Sequence, residues 1–564
     1  MFKIIYMFLL LLLESQQVFS AHKIRNIKVD VPLSLQLKDS FTIYVIKYDC
    51  LLDDNIVIPS NCILRFEGGS LSGKYTLTGH NTSIDAAIVK IFDERVKLAG
   101  TWNVNEAYPE WFGAKSDGMT DCSPAFNALI NLCYSKGNCD VSCVPIKVGK
   151  GVYILESPII VPFDQNQYLY GKQQDRERYK DWNSSLTILG SGYMSTTLKA
   201  GKNNKNSLLA SANNREQYCS KPRLKNLVIK DITFSGSLVC PTCFSNWSTL
   251  QIYKNNFENV TFTEFTDVAV DVMRMGDETK SSAQNSECNW RNVNFLYNKV
   301  GLKVNGASSS FYGCRWERNY YRGLVISGYA TALSFYESLI QYNVDIDPEY
   351  ERDFKNHCVI RGTYPGNLVF ENVKDAQVNF HGSYFEPSYD KVVEVNYPPI
   401  HILQDCKTMG GCEINIEDSY YNMFTDFIKI TRTDYNAKTG EHGQCYAANI
   451  NLKNLKITRT NPQAYVLAYN GGYLTLHNSY FSVHNSKMKM GSVVLDNSKS
   501  YDKLDGVYID IPLYGTSNNR PNYLIGLGQT YFDTDLKKLL VKVEQRNNPN
   551  AQEWADYNGN YIRH

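Results

Sequence analysis

Ile229-Lys-Asp-Ile-Thr-Phe234, Phe257-Glu-Asn-Val-Thr-Phe262, Trp290-Arg-Asn-Val-Asn-Phe295 and Phe311-Tyr-Gly-Cys-Arg-Trp316 share one frame, with apolar ends and a bend-forming residue third. The frame recurs in Phe335-Tyr-Glu-Ser-Leu-Ile340, Phe380-His-Gly-Ser-Tyr-Phe385, Ile416-Glu-Asp-Ser-Tyr-Tyr421, Leu452-Lys-Asn-Leu-Lys-Ile457 and Leu476-His-Asn-Ser-Tyr-Phe481. The third residues are Asp231, Asn259, Asn292, Gly313, Glu337, Gly382, Asp418, Asn454 and Asn478; all but Glu337 are types that tolerate a left-handed backbone. Each hexapeptide therefore reads as two short strands joined at a tight bend. Successive copies start 28, 33, 21, 24, 45, 36, 36 and 24 residues apart. Taking the 45-residue interval as two turns predicts coils of about 27 residues, the size of one turn of a parallel β-solenoid.

A second alternating strand lies between hexapeptides, at 268–272, 301–304, 323–326, 344–346, 392–395, 427–430 and 465–468. Each coil is thus expected to hold three short strands with one apolar face inward. An immunoglobulin-like sandwich would also supply short strands, but not one bend residue in a fixed frame.

The chain has 564 residues, enough for a large core, with 58 Lys and Arg against 57 Asp and Glu. That balance argues against a general nucleic-acid binder, which needs a clear cationic excess to neutralise phosphate. Lys3, the apolar run Ile4 to Leu13, and Val18-Phe19-Ser20 ahead of Ala21 read as an export signal over residues 1–20. Glu14 stops the run short of the about 20 apolar residues that span a bilayer, and no later segment supplies a stable membrane span. The expected location is periplasmic, cell-surface or secreted. Cys122, Cys133, Cys139 and Cys143 are bunched, and Cys240 and Cys243 form a C-P-T-C. In an oxidising compartment such clusters read as disulfides, and the total of 15 leaves at least one thiol over. Zinc is disfavoured, since Cys219, Cys240 and Cys243 have no nearby His.

Residues 107–135, which contain Gly113-Ala-Lys-Ser-Asp-Gly-Met-Thr-Asp121, resemble the opening signature of the pectate-lyase superfamily of right-handed β-helices, with Ser116 in place of the usual Gly. The resemblance continues through Gly151-Val-Tyr-Ile-Leu155 and Thr187-Ile-Leu-Gly-Ser-Gly-Tyr193. It implies an all-β, single-stranded right-handed parallel β-helix with an N-terminal capping helix and small β-rich terminal modules. The expected organisation is a β-rich leader over 21–105, the β-helix over 106–500 and a C-terminal capping module over 501–564. Pro124 suits the first helical position, and Phe126, Leu129, Ile130 and Cys133 share one helix face. Asp117 and Asp121 read as turn and cap residues, structural and not catalytic.

Families of this fold that act on polysaccharides place their site on the outward residues of one sheet and its loops, and the resemblance implies that placement here. Alternation selects Asp271, Lys303, Val325, Asp345, Glu394, Lys429 and Leu467 as outward. Long loops follow at 273–288, 347–357 and 396–406; the competing reading is a solvated charged face. Asp345 and Asp347, about 6.6 Å apart on a strand, suit either an inverting carboxylate pair or half of a Ca2+ site, although Pro348 interrupts that strand. Glu394 and Lys429, one coil apart, read as an ion pair or as a lyase pair in which Lys removes the proton beside a uronate carboxylate. The catalytic candidates are Asp345, Glu394, Lys429, Lys303 and Asp347, and the substrate-binding candidates Asp271, Arg274, Tyr384 and Glu386. The expected function is an exported polysaccharide lyase or glycoside hydrolase; a non-catalytic glycan-binding or adhesin-like protein is the alternative. Polygalacturonase-type N-T-D and G-H-G stretches and the pectate-lyase Arg-x-Pro-x-x-Arg are absent.

Overall fold

The computed structural model describes residues 22–133, 144–161, 184–211, 223–245, 251–253, 255–271, 285–304, 308–329, 332–341, 343, 367–374, 376–386, 398–404, 413–422, 427–432, 445–446, 449–459, 467–470, 474–477, 480–484, 503–505, 508–510, 514–517, 530–545 and 548–562. It divides into two units, one of residues 1–115 and 124–147, the other of 116–123 and 148–564.

The hexapeptide frame sets the architecture of the larger unit. Ile229, Phe257, Trp290, Phe311, Phe335, Phe380, Ile416 and Leu452 stand in direct parallel register on consecutive coils. All eight bend residues from Asp231 to Asn454 have φ between 49° and 59°. Glu337 is among them, so the frame imposes the left-handed bend even where the residue type resists it. Asparagine suits the position because its amide also bonds along the stack: Asn259 Nδ2 donates to Asp231 Oδ1 (2.9 Å), and Asn292 Nδ2 to Asn259 Oδ1 (3.2 Å). Substituting Asn292 with valine removes that bond and forces a β-branched side chain to φ 52°. The expected cost is about 1–3 kcal/mol, read from urea unfolding; an unchanged midpoint would contradict the register.

Inside the coils the apolar ends stack as aromatic columns. Phe257 and Trp290 lie 4.1 Å apart, Phe311 and Phe335 4.5 Å, and Phe295 and Trp316 5.5 Å. A further ladder is formed by Asn298, Asn319, Asn343 and Asn367, all fully buried, with each amide bonded to the next at 2.7–3.1 Å. The inter-hexapeptide strands build a seven-stranded parallel sheet in the order Val268–Asp271, Val300–Val304, Arg322–Tyr329, Leu368–Lys374, Ile400–Gln404, Ile428–Arg432 and Leu467–Asn470.

Three expectations are corrected. The 45-residue interval is a single coil, because Phe335 pairs directly with Phe380; its extra length is insertion and not a hidden turn. The ninth hexapeptide leaves the frame, since Leu452 pairs with Phe481 while Leu474–His477 joins a separate small sheet. Cys139 and Cys143 lie outside the described residues, while among the described residues Cys50, Cys62, Cys122, Cys133, Cys240, Cys243, Cys288 and Cys314 are buried free thiols with no disulfide among them, Cys240 and Cys243 included. They fill apolar interior positions, where burial pushes the Cys240 thiol up to about 11 and Cys288 and Cys314 to about 12.

The smaller unit is more regular than a generic β-rich leader. Its strands Lys23–Asn26, Thr42–Ile46, Ile63–Phe66, Thr76–Asp85 and Lys97–Asn103 are all parallel, with Ile43 opposite Ile63 and Ile63 opposite Ser83, so it is a solenoid in its own right with 20-residue coils. Asn61 and Asn81 form its bend ladder, at φ 57° and 52° and bonded at 2.7 Å. Phe126, Leu129, Ile130 and Cys133 are buried on one helix face.

Asp117 and Asp121 act locally. Asp117 Oδ1 accepts from the Met119 and Thr120 amides, and Asp121 Oδ1 from the amide and hydroxyl of Ser123. The C-terminal strands Thr530–Asp533, Lys538–Gln545, Asn548–Asp556 and Tyr561–Ile562 are antiparallel around Tyr531, Leu540 and Trp554. Among the described residues no helix is long and apolar enough to cross a membrane.

Candidate functional site

Register across the seven-stranded sheet puts Asp271, Lys303, Val325, Val369, His401, Lys429 and Ala468 side by side on one outward line. Neighbours on that line are about 4.8 Å apart, so Lys303 and Lys429 stand about 19 Å from each other along it. Val369 and His401 occupy the two rungs where alternation placed Asp345 and Glu394, because Leu368–Lys374 and Ile400–Gln404 are the strands that join the sheet. The register neighbour of Lys429 is therefore His401 and not Glu394. Ala468 takes the place expected for Leu467, which pairs with the inward Ile428. Asp345, Asp347, Glu394 and Arg274 lie outside the described residues.

The middle of this face is apolar and buried, where the expected line had Val325 flanked by charged residues. Val325 and Val369 point outward yet are fully buried, clustering with Val268, Val300 and Leu403 against Tyr321. Arg322 lies among them with 8% of its side chain exposed. Its guanidinium stacks 5.0 Å from the Tyr321 ring centre, and its Nη1 donates to Glu371 Oε2 at 3.3 Å. A buried arginine held by one carboxylate and one ring is fixed in orientation, unlike a solvated surface charge. Lys303 and Lys429 are half-buried at the two ends of the apolar stretch.

His401 is the most perturbed group here. Burial first, then the charges of Lys429 and Arg322, push its imidazole down to about 3. The folded chain therefore keeps His401 neutral between about pH 3 and 6.5, where an unfolded histidine takes up a proton. The unfolded state binds more protons in that window, so the stability contribution is complete above about pH 6.5. It is lost on acidification at about 1.4 kcal/mol per pH unit. The midpoint of the native chain should fall more steeply from pH 6.5 to 4 than that of His401→Gln; parallel slopes would contradict a buried neutral imidazole.

Tyr384 and Glu386 are not brought to this face. Tyr384 is in the second hexapeptide strand, Tyr384–Phe385, where it pairs with Leu339 and Tyr420; Glu386 follows that strand, and the Tyr384 hydroxyl donates to its Oε2 at 3.4 Å. Sequence reasoning missed His401, Arg322 and Glu371. The available signal was Ile400-His-Ile402, one polar residue alternating with two apolar ones.

No protein-family model matches the chain, and no curated protein matches it. Among solved structures it is similar to the mannuronan C-5 epimerase AlgE4 A-module of Azotobacter vinelandii, at 10% identity and TM-score 0.38 over 72% of this chain and 97% of that one. It is also similar to the pre-mature bacteriophage phi29 gene product 12, at 11% identity and TM-score 0.41 over 75% of this chain and 58% of that one. The Agl-KA catalytic domain matches at 12% identity and TM-score 0.40, over 73% and 69% of the two chains. Likenesses this distant carry nothing about activity. Eight hexapeptides in unbroken parallel register, beside a seven-stranded parallel sheet, make this chain a parallel β-helix protein.

Proposed function

We propose that this protein is a carbohydrate-active enzyme that cleaves a uronate-containing polysaccharide by β-elimination on the outward face of the seven-stranded sheet. The observation that supports this reading is the adjacency of His401 and Lys429, a neutral imidazole beside an ammonium on consecutive coils. β-Elimination needs cations against the uronate carboxylate, where charge develops as the neighbouring C–H proton leaves, and a proton acceptor on the same side. In this reading Lys303 and Lys429 hold carboxylates along the chain, and His401 accepts the proton. The C–H electron pair becomes the new double bond, and the glycosyl oxygen departs with a proton from water. Glu371 holds Arg322 in place. Export through residues 1–20 belongs to the same proposal.

A hydrolase would instead draw on Asp345, Asp347 and Glu394, with Ca2+ at the first two as a further option. The test is incubation of the full chain with alginate, polygalacturonate, hyaluronan and neutral glucans, following ultraviolet absorbance and reducing ends together. Unsaturated product supports the lyase reading. Reducing ends without it mean a hydrolase, and neither signal refutes cleavage of these polymers.

A further inference from the structure

We propose that the outward face of the first hexapeptide strands carries a second, non-catalytic strip that binds a hydroxyl-rich polysaccharide. Eight rungs contribute to one outward line on this face, and its two ends neutralise themselves. Lys230 pairs with Glu258 at 2.6 Å, and Lys453 with Glu417 at 3.5 Å. The four rungs between carry Arg291, Tyr312, Tyr336 and His381 in consecutive register. The Tyr312 and Tyr336 rings stack at 4.7 Å, 8° from parallel; the Arg291 guanidinium lies 5.3 Å over Tyr312, and the His381 ring meets Tyr336 edge-on at 6.3 Å. Arg291, Tyr312 and His381 are exposed, so this is a ridge in solvent and not core packing.

Both flanks of the ridge are low and polar. Two residues earlier on the same strands, the same face carries Asn289, Ser310, Ser334 and Asn379 in register. On the other flank the bend ladder runs Asn292, Gly313, Glu337 and Gly382, so two of its four rungs carry no side chain and the other two are polar and exposed. A sugar chain offers apolar C–H faces and many hydroxyls, which match an aromatic ridge with polar tips beside short amides and hydroxyls. The stretch lacks the run of cations that a strongly acidic polymer would call for. The strip lies on a different sheet from Lys303 and Lys429, so it does not depend on the cleavage reading.

Affinity electrophoresis of the full chain through gels containing mixed-linkage β-glucan, xylan or dextran tests this. At least one polymer should retard the native chain. The double variant Tyr312→Ala/Tyr336→Ala should weaken that retardation at least tenfold, and Ser334→Lys, which blocks the flank without removing packing, should do the same. The strip shares no residue with Lys303, His401 or Lys429, so failure of the cleavage assignment leaves this result standing. No retardation in any of the three gels, or equal retardation of native chain and both strip variants, overturns the proposal.

Discussion

Under the proposed β-elimination, Lys429→Ala and His401→Gln are each expected to slow polysaccharide cleavage by about 10²- to 10⁴-fold while the chain still folds, because that proposal sets both groups against the reacting uronate. The argument rests on position. The two residues occupy adjoining rungs of one outward line, and the charge of Lys429 is among the causes that hold His401 neutral. Removing Lys429 lets the imidazole regain proton affinity and, under the same proposal, takes away a ligand of the substrate carboxylate. The pH–rate profile of Lys429→Ala should move its acidic limb to higher pH, whereas a lysine without electrostatic coupling to the base would leave that limb in place. Glu258→Gln, which breaks the half-buried Lys230 pair on another sheet, should leave the rate within about twofold. A full rate with both Lys429 and His401 replaced would put the chemistry elsewhere, and Tyr384 with Glu386 would be examined next.

Asn319→Leu is expected to cost about 3–5 kcal/mol of stability, more than any bend substitution. Asn319 is fully buried, and its amide makes four hydrogen bonds. Its Oδ1 accepts from the Asn298 backbone amide and side chain, both at 3.0 Å, and its Nδ2 donates to Phe295 O at 2.9 Å and Asn343 Oδ1 at 2.7 Å. Leucine of similar size fills the space and satisfies none of these groups, which then sit in a dry interior. The loss differs in kind from that at Asn292, whose bend faces solvent so that water replaces a broken bond. Urea unfolding of both variants separates the cases; a loss below about 1 kcal/mol at Asn319 would show that the ladder carries little of the stability.

The repeat was legible because a left-handed bend between two inward-facing residues restricts residue type at every coil. Asp231, Asn259, Asn292, Gly313, Gly382, Asp418 and Asn454 all announce it, and each has φ near 55°. Local backbone preference and inward packing act on the same six residues there, so pattern and structure agree. The outward line of the seven-stranded sheet has no such local signature. In the coil after Phe335, both 344–346 and 368–371 alternate or run apolar, and only pairing with Arg322–Tyr329 makes Leu368–Lys374 the strand. A shift of strand choice exchanges Asp345 for Val369 and Glu394 for His401, since every residue on the line is set by its neighbours on adjacent coils. The neutral state of His401 and the fixed orientation of Arg322 arise from burial and from charges distant in sequence. The sequence by itself therefore determined the coil, its bends and its inward columns; which side chains meet on the outward face was decided only by long-range pairing.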